Sequence, residues 1–454
     1  MSLFSEKFRN DPRVSKARDL LQDALKENQK GLIGIRPPNL GLKQSYEQLL
    51  QRFAELRGGN LWLPYLGSGF GQGPFVELLD GSIKYDFICG IGTHFFGHNH
   101  PMLLDACLEA ALSDIVLQGH LQQNGDVAQL TATMCQAAKM DHCFLTTSGA
   151  MANENALKTA FQKHFPANRI LAFEHCFAGR TLTLAQVTDK ASFRDGLPLN
   201  VGVDYIPFFD ANRPEESTQK ALDVLKQIIS RYPKQHAVML CELVQGENGF
   251  YTGCKEFFSA VMQLLKENNI SILIDEVQTF GRTPSLFAFH YYGLEAFADI
   301  VTTGKLGLVC ATFFNKEHKP KTGLLSQTFI SSTAAIHCAQ SIFTYLQSSP
   351  LYGPEGKILK LFTHFSNRLS TLAKRNLVEG PFGIGSMIAF TPCRGNPDKV
   401  KKFILRLFEE GVVGFVAGVH FQRVRFLLPA PVLEYSHIDA VMEIVERILI
   451  EEQQ

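Results

Sequence analysis

Short apolar runs alternate with helical stretches between residue 143 and about residue 330. An apolar run of this length, bounded by turn-forming residues, is typical of a strand that is buried on both faces. Strands that alternate with helices in this way predict a mainly parallel sheet with helices on both sides, which is an α/β fold. The runs that we interpret as strands are CFLTT, RILAF, AVMLCEL, ISILI and DIVTT.

The chain before this region is more polar. Residues 1 to about 60 contain two helical patterns, which Pro37 and Pro38 separate. From Leu66 onwards, apolar residues that alternate with glycines predict short antiparallel strands. The glycines at positions 67, 69, 71 and 73 do not indicate a dinucleotide-binding loop, because their spacing differs from that motif and no helical pattern follows.

The chain after about residue 335 combines helical patterns with three short strands, MIAF, VGFV and VRFLL. A last amphipathic helix has Ser436 as its candidate N-cap. Its apolar residues recur at helical spacing: Ile438, Val441, Ile444, Val445, Ile448 and Leu449. We predict that residues 1–75 contribute to a small domain, that residues 76–335 form a large domain, and that residues 336–454 form the rest of a small α+β domain.

Length and composition are those of an ordinary soluble protein. At 454 residues the chain exceeds the usual size of one domain, which favours two domains. Lys+Arg and Asp+Glu both number 44, so there is no basic excess to attract nucleic acid or an anionic membrane. The ten cysteines are scattered without a C-x-x-C pair, which indicates a reducing compartment and no zinc module. No signal sequence or run of roughly 18 apolar residues is visible, so we expect a cytoplasmic protein.

Two of the predicted strands end at residues with complementary chemistry. The run at 270–274 is followed by Asp275, and the run DIVTT is followed closely by Lys305. Open α/β sheets bind ligands outside the carboxyl ends of their strands, so we expect both side chains in one crevice. A lysine that can form a Schiff base and an aspartate that can hold a pyridinium proton indicate a site for pyridoxal 5′-phosphate (PLP).

Other motifs also lie where predicted strands end. In TTSGAMANENALK the N-terminus of a helix presents Gly149 and Ala150, whose backbone N–H groups are candidates for binding phosphate. In HCFAGRT, Phe177 offers a flat apolar surface for a cofactor ring, and Arg180 could bind a carboxylate with its planar fork. In CELVQGENGF the strand ends with Glu242, and Glu247 follows in the loop. HFFGHNHP contains three histidines, but no carboxylate or cysteine shares the spacing that a metal site would need. We therefore interpret this motif as a turn before a helix rather than as a metal site.

Together and in this order, these stretches resemble the class III, fold-type I PLP-dependent aminotransferases. The resemblance extends from about residue 71 to residue 431. It rests on SGAMANENALK, FAGRT, VQGENG, DEVQTFGRT, the TGK around Lys305, and LSQTF. The fold that it implies has a large domain with a mainly parallel, seven-stranded sheet flanked by helices, and a smaller α+β domain built from both termini.

The resemblance also implies a role for each cofactor-binding residue. Lys305 would form the Schiff base and move the proton, and Asp275 would pair with the pyridine nitrogen. The remaining contacts to PLP would come from Gln278 at the ring oxygen, Phe177 on the ring face, and Gly149 and Ala150 at the phosphate. Thr328 would reach the phosphate of a partner subunit, so we predict a homodimer with shared active sites.

Substrate binding is implied for a second set of residues. Glu247 resembles the acid that shields a substrate-binding arginine, and Arg425 resembles that arginine, with Arg423 as the fallback because VRFLLPAP has one additional residue. Arg180 resembles a second carboxylate site, and we group Glu242 with these residues.

The implied function is transfer of an amino group, from an ω-amine or a basic amino acid, to 2-oxoglutarate by a ping-pong mechanism. The nearest group is that of the 4-aminobutyrate, lysine ε- and ornithine aminotransferases. A class III relative with another PLP reaction (aminomutase, racemase or decarboxylase) is the alternative, followed by a non-catalytic protein of the same fold. Some positions depart from the usual family pattern: Met151, Ala178, Leu243, a shorter DEVQTFGRT, and KLGLVC in place of a glycine-rich stretch.

Overall fold

A computed structural model describes residues 3–114, 117–119, 121–419 and 421–451. The chain forms two compact units. The terminal unit consists of Met1–Leu112, Lys357–Phe382 and Ser386–Gln454, and the central unit consists of Ser113–Gly356 and Gly383–Gly385. The domain boundaries placed after residues 75 and 335 from the sequence stay a prediction.

Helices occur in both units. They are α1 (Phe4–Arg9), α2 (Pro12–Gln29), α3 (Leu40–Arg57), α4 (Cys89–Gly92), α5 (Pro101–Ala110), α6 (Gly125–Ala138), α7 (Gly149–Lys163), α8 (Leu182–Val187), α9 (Pro214–Arg231), α10 (Lys255–Glu267), α11 (Ala288–Tyr291), α12 (Thr333–Ser348), α13 (Lys357–Lys374), α14 (Pro397–Glu409) and α15 (Tyr435–Glu451).

The strands follow the same chain order. They are β1 (Gly67–Gln72), β2 (Phe75–Leu78), β3 (Ile83–Asp86), β4 (Leu117–Gln118), β5 (His142–Thr146), β6 (Arg169–Phe173), β7 (Gly202–Ile206), β8 (His236–Glu242), β9 (Val244–Gln245), β10 (Tyr251–Thr252), β11 (Ser271–Asp275), β12 (Ile300–Thr303), β13 (Cys310–Phe314), β14 (Ser331–Ser332), β15 (Val378–Ile384), β16 (Met387–Pro392), β17 (Val412–Val413), β18 (Phe415–Ala417) and β19 (Arg423–Leu427).

A seven-stranded sheet forms the centre of the central unit. Its strand order is β5–β13–β12–β11–β8–β6–β7. The neighbours from β12 to β7 pair in parallel, whereas β13 runs antiparallel to both β12 and β5. Every residue of β8, β11 and β12 is buried, as the continuous apolar runs predict for strands with covered faces. The predicted α/β fold with a mainly parallel, seven-stranded sheet is therefore confirmed.

Helix α7 lies against this sheet through small side chains. Ala152, Ala156 and Ala160 recur along one face of the helix, and all three are fully buried. Small residues allow the helix backbone to approach the strands closely, and Thr312 of β13 donates a 2.8 Å hydrogen bond to the Ala152 carbonyl. This close packing fixes the position of the first turn of α7 relative to the strand ends.

The terminal unit contains two four-stranded sheets, β1–β2–β3–β17 and β15–β16–β19–β18. The three strands that follow Leu66 pair antiparallel, as predicted from their alternating pattern. Helix α15 buries all six apolar residues identified from its periodicity. The candidate N-cap was wrong, because α15 begins at Tyr435, one residue before Ser436. The histidine-rich turn leads directly into α5, where His100 is the N-cap and accepts a hydrogen bond from the Met102 N–H.

Candidate active site

Three neighbouring strands of the central sheet end in polar residues at the same edge. Asp275 of β11 lies between Glu242 of β8 and Thr302 of β12 in the strand register. Lys305 follows β12 in a 3₁₀ turn and has a φ of 52°, a value that is uncommon for a residue with a side chain. Burial raises the pKa values of both Asp275 and Glu242, and the charge of Lys305 opposes that rise, so the three ionisable groups share one electrostatic environment.

The Asp275 carboxylate is buried and bound by two nitrogen donors. Its Oδ2 accepts a 2.7 Å hydrogen bond from Asn153 Nδ2, and its Oδ1 accepts a 2.9 Å bond from the Val277 N–H. Burial raises the pKa of Asp275, whereas these two bonds and the charge of Lys305 oppose that rise. A positively charged ligand atom placed against this carboxylate would favour its ionised form still further.

Asn153, which the sequence analysis missed, connects three elements. Its Nδ2 also donates to the Ala178 carbonyl at 2.8 Å, and its Oδ1 accepts a 2.7 Å bond from Thr302 Oγ1. A signal for this residue was present: Asn153 precedes Ala156 and Leu157 by three and four positions, so it lies on the apolar face of α7. A polar side chain on such a face needs buried partners, and here those partners include the strand-end aspartate.

Glu242 lies beneath the loops rather than at the surface of the crevice. Its two carboxyl oxygens accept hydrogen bonds from the Phe177 N–H at 2.8 Å and the Gly246 N–H at 3.1 Å. Burial first, and then the charge of Asp275, raise the pKa of Glu242 to about 8. Glu242 is therefore mainly protonated at neutral pH, and it holds the two loops that carry Phe177 and Glu247.

The neighbouring Glu276, which the sequence analysis did not single out, is also fully buried. It accepts hydrogen bonds from the Thr279 hydroxyl at 2.5 Å and the Phe289 N–H at 2.8 Å. Burial raises its pKa to about 7. These contacts fix the loop that follows β11 and thereby the position of Gln278.

The N-terminus of α7 lies beside this loop. Ser148 is the N-cap, and its Oγ accepts a 3.2 Å hydrogen bond from the Met151 N–H. Gly149 and Ala150 occupy the first turn, where backbone N–H groups have no partner within a helix and the helix dipole favours an anion. A Cβ atom at Gly149 would lie 2.7 Å from Val277 Cγ1, so only glycine allows the helix to approach the Asp275 loop this closely.

Gln278 lies against the loop that carries Glu247. A Cβ atom at Gly246 would lie 1.9 Å from Gln278 Oε1, so any other residue there would displace the Gln278 side chain. Within the described residues, the buried Gln278 Oε1 has no hydrogen-bond partner, and neither does the buried hydroxyl of Thr303. Such atoms near a cluster of strand-end residues indicate that a polar ligand completes the site.

Phe193 connects the predicted substrate-binding residues of this unit. The Arg180 guanidinium lies 3.8 Å from the centroid of the Phe193 ring, and Lys190 Nζ lies 4.5 Å from the same centroid. Lys190 Nζ also lies 3.0 Å from Glu247 Oε1. The Phe177 ring makes an edge contact with Phe193 at a centroid distance of 6.3 Å. We call Arg180, Lys190, Phe193 and Glu247 the Phe193 cluster.

Comparison with known proteins identifies the family. The family model described as aminotransferase class-III matches residues 69–449. The chain belongs to this family. Among relatives of this class III aminotransferase, the acetylornithine aminotransferase of Methanocaldococcus jannaschii is 29% identical over 400 residues, a match that covers 84% of this chain and 92% of the relative. That of Caldanaerobacter subterraneus subsp. tengcongensis is 29% identical over 395 residues, covering 84% of this chain and 94% of the relative.

Solved structures share the fold of this class III aminotransferase. The lysine aminotransferase from M. tuberculosis, in the internal aldimine form, has a TM-score of 0.78 at 23% identity and covers 88% of this chain and 99% of its own. The ornithine aminotransferase from Toxoplasma gondii ME49 has a TM-score of 0.79 at 21% identity and covers 90% of this chain and 96% of its own. The recognition of a PLP-dependent aminotransferase from the sequence is thereby confirmed.

The residues present fit the family cofactor. The site combines a buried carboxylate for a pyridinium nitrogen, an unsatisfied buried amide oxygen, a lysine, and a helix N-terminus whose close approach needs Gly149. These features would supply a partner for each polar part of PLP: ring nitrogen, ring oxygen, aldehyde and phosphate.

Arg423 and Arg425 belong to the terminal unit, in β19. They are two positions apart, so their side chains leave the strand on the same face, and both are buried. The guanidinium of Arg423 lies 3.4 Å from the centroid of the Phe382 ring, and that of Arg425 lies 5.8 Å from the centroid of the Phe415 ring. The role of Arg425, and the choice between it and Arg423, stay a prediction.

Thr328 is exposed in the segment before β14, which pairs with β4.

The residues that depart from the usual family pattern pack as ordinary residues do. Ala178 is 3% exposed, and its N–H donates to Thr188 Oγ1 at 3.0 Å. Leu243 is fully buried, and Met151 is half-buried in the first turn of α7.

In the part of the chain that the structure describes, no helix is both long enough and apolar enough to cross a membrane. Among the same residues, no group of three or more His, Cys, Asp or Glu side chains is arranged to hold a metal ion.

Proposed function

We propose that this PLP-dependent aminotransferase takes the terminal amino group of a basic amino acid, an acylated basic amino acid or an ω-amino acid and delivers it to 2-oxoglutarate. The curated relatives named above are acetylornithine aminotransferases, and the structural neighbours act on lysine and ornithine by name. The single observation that carries the proposal is the buried Asp275, held by Asn153 next to the strand that leads to Lys305.

PLP, when bound, supplies an aldehyde that condenses with amines and a ring that withdraws electrons from the amino-bearing carbon. The chain supplies the rest. Asp275 would hold the proton on the ring nitrogen, because Asn153 and the Val277 N–H keep its carboxylate in place. Lys305 would act as nucleophile and as the base that moves the proton between substrate and cofactor.

Other residues of the central unit would position the cofactor. We assign Gln278 to the ring oxygen, Phe177 to the ring face, and the N–H groups of Gly149 and Ala150 to the phosphate. Glu242 would hold the loops of Phe177 and Gly246 in place through its bonds to their N–H groups, and it would not touch the substrate.

Substrate carboxylates need cationic partners. We assign the carboxylate of the donor to Arg180, which is exposed and steadied by the Phe193 ring. We assign the α-carboxylate of 2-oxoglutarate to Arg425, with Glu247 as the acid that shields this arginine while the donor reacts. A planar guanidinium can bind a carboxylate through two parallel hydrogen bonds, which an ammonium cannot do.

We also propose a cytoplasmic homodimer in which Thr328 contacts the phosphate bound by the partner subunit. Thr328 and its neighbour Phe329 are exposed, and Leu121 in the central unit is completely exposed. Apolar side chains at the surface near a predicted ligand contact are typical of an interface. Phe329→Asp should lower the dimer fraction in light scattering, and a fully active monomer would contradict the proposal.

A half-reaction assay tests the function itself. PLP-loaded enzyme should lose the absorbance of its Schiff base when an ω-amine donor is added. Addition of 2-oxoglutarate should restore the absorbance and release glutamate. A donor-driven change that no keto acid reverses would instead support a class III relative with another PLP reaction.

A further inference from the structure

The Phe193 cluster contains a lysine, Lys190, to which the proposed function gives no role. Lys190 lies after α8, and its Nζ is 3.0 Å from Glu247 Oε1. The side chains of Lys190 and Glu247 are only 26% and 22% exposed, so solvent screens this pair less than an ordinary surface pair. Glu247 therefore already has a cationic partner within its own unit.

The same lysine lies close to the proposed carboxylate site. Lys190 Nζ and the Arg180 guanidinium both lie within 4.5 Å of the centre of the Phe193 ring. The cluster holds two positive charges and one negative charge, so its excess charge is positive. It attracts a carboxylate, but it has no acid left over for an additional ammonium.

We infer that Lys190 is a specificity-determining residue that disfavours donors with a free α-ammonium group. The inference rests on the proposed function, in which Arg180 binds the donor carboxylate. In a free α-amino acid the ammonium and the carboxylate are attached to the same carbon atom. A carboxylate bound at Arg180 therefore brings the ammonium into the field of the Lys190 ammonium, which contacts the same Phe193 ring, and there like charges repel while Glu247 is already matched.

Two classes of donor avoid this repulsion. In an α-N-acylated diamino acid the α-nitrogen is an uncharged amide, and in an ω-amino acid it is absent. Both keep the carboxylate that Arg180 needs and the terminal amine that reacts. Lys190 would thus discriminate between donors that differ at the α-nitrogen, far from the terminal amine that reacts. Repulsion of one competing substrate is a common source of specificity.

The test compares three donors at a fixed, saturating concentration of 2-oxoglutarate. Wild-type enzyme should have a kcat/KM for N-acetylornithine that is at least about tenfold higher than its kcat/KM for ornithine. Lys190→Met should lower this ratio several-fold, mainly through a lower KM for ornithine, and should change 4-aminobutyrate kinetics much less. Lys190→Arg keeps the positive charge and should retain the discrimination.

A matched control is available elsewhere in the same unit. Lys163 Nζ also lies 3.0 Å from a glutamate oxygen, that of Glu317, on an exposed part of the chain. Lys163→Met should leave the donor ratio unchanged. An unchanged ratio in Lys190→Met, in an enzyme that transfers amino groups normally, would overturn the inference but not the proposed function. A wild-type enzyme that is inactive with all three donors would overturn both.

Discussion

The hydrogen bonds of Asn153 lead to the sharpest prediction. Asn153→Leu keeps a side chain of similar size but removes a bond to the Asp275 carboxylate, a bond to the Ala178 carbonyl and a bond from Thr302. A buried hydrogen bond to a charged group contributes about 1.5–3 kcal/mol, and a neutral one about 1 kcal/mol. The variant should therefore lose about 4 kcal/mol of unfolding free energy.

The same substitution should also impair the site. The Asn153 bond is the strongest of the contacts that oppose the raised pKa of Asp275. Without this bond the pKa of Asp275 should rise further, and the carboxylate should hold a ring proton less well. We expect weaker PLP binding and slower amino transfer, in addition to the lower stability.

Thr302→Val is the matched control. It removes only the bond from Thr302 to Asn153 Oδ1, has almost the same shape, and leaves the donor to Asp275 in place. It should cost about 1–2 kcal/mol and leave PLP affinity nearly unchanged. Urea unfolding of the apoenzymes and fluorescence titration with PLP measure the two effects. If Asn153→Leu costs no more than Thr302→Val, or binds PLP equally well, the reasoning is refuted.

Three further predictions follow from the site and its surroundings. Borohydride reduction of the loaded enzyme should attach PLP to the peptide that contains Lys305, and Lys305→Ala should lose activity by several orders of magnitude; label on another lysine would contradict this. Asp275→Asn should slow amino transfer far more than it weakens PLP binding, and a rate within about threefold of wild type (roughly 0.7 kcal/mol of barrier) would exclude the assigned role. Burial lowers the pKa of His318 to about 4, so its contribution to stability is present above pH 6.5 and is lost as the pH falls towards 4, by about 3 kcal/mol. His318→Asn should have a shallower dependence of urea midpoint on pH in that window, and an unchanged slope would show that His318 does not titrate on unfolding.

The sequence predicted five strands of the central sheet and missed β7 and β13. Strand β7 lies at the edge of the sheet, its first four residues are half-buried, and its sequence GVDYI lacks a continuous apolar run. Strand β13 is buried throughout but reverses direction after β12, because Lys305 and Leu308 both adopt positive φ in a tight turn. The order of strands and helices does not predict this reversal of direction, because lysine and leucine rarely adopt positive φ.

Some residues of the candidate site could be predicted from the sequence and others could not, and the difference has a physical cause. Asp275 and Lys305 could be found because each follows a recognisable strand, and the ends of neighbouring parallel strands lie at one edge. Lys190 and Phe193 could not be found, because their contacts depend on the path of the loop after α8. Thr188 contributes to that path: it is fully buried and binds the backbone of Gly179 through its hydroxyl. No periodicity in the sequence encodes such a contact.

The ionisation of the strand-end acids follows from how each is bound. Glu242, Asp275 and Glu276 are all buried, and burial raises the pKa of each. Asp275 is the one that a side-chain amide binds directly, and its charge in turn raises the pKa of Glu242. Glu242 keeps its two backbone contacts, while the Asn153 amide and the charge of Lys305 oppose the rise in the pKa of Asp275. These contacts favour the carboxylate form of Asp275, which is the form that a pyridinium nitrogen would require.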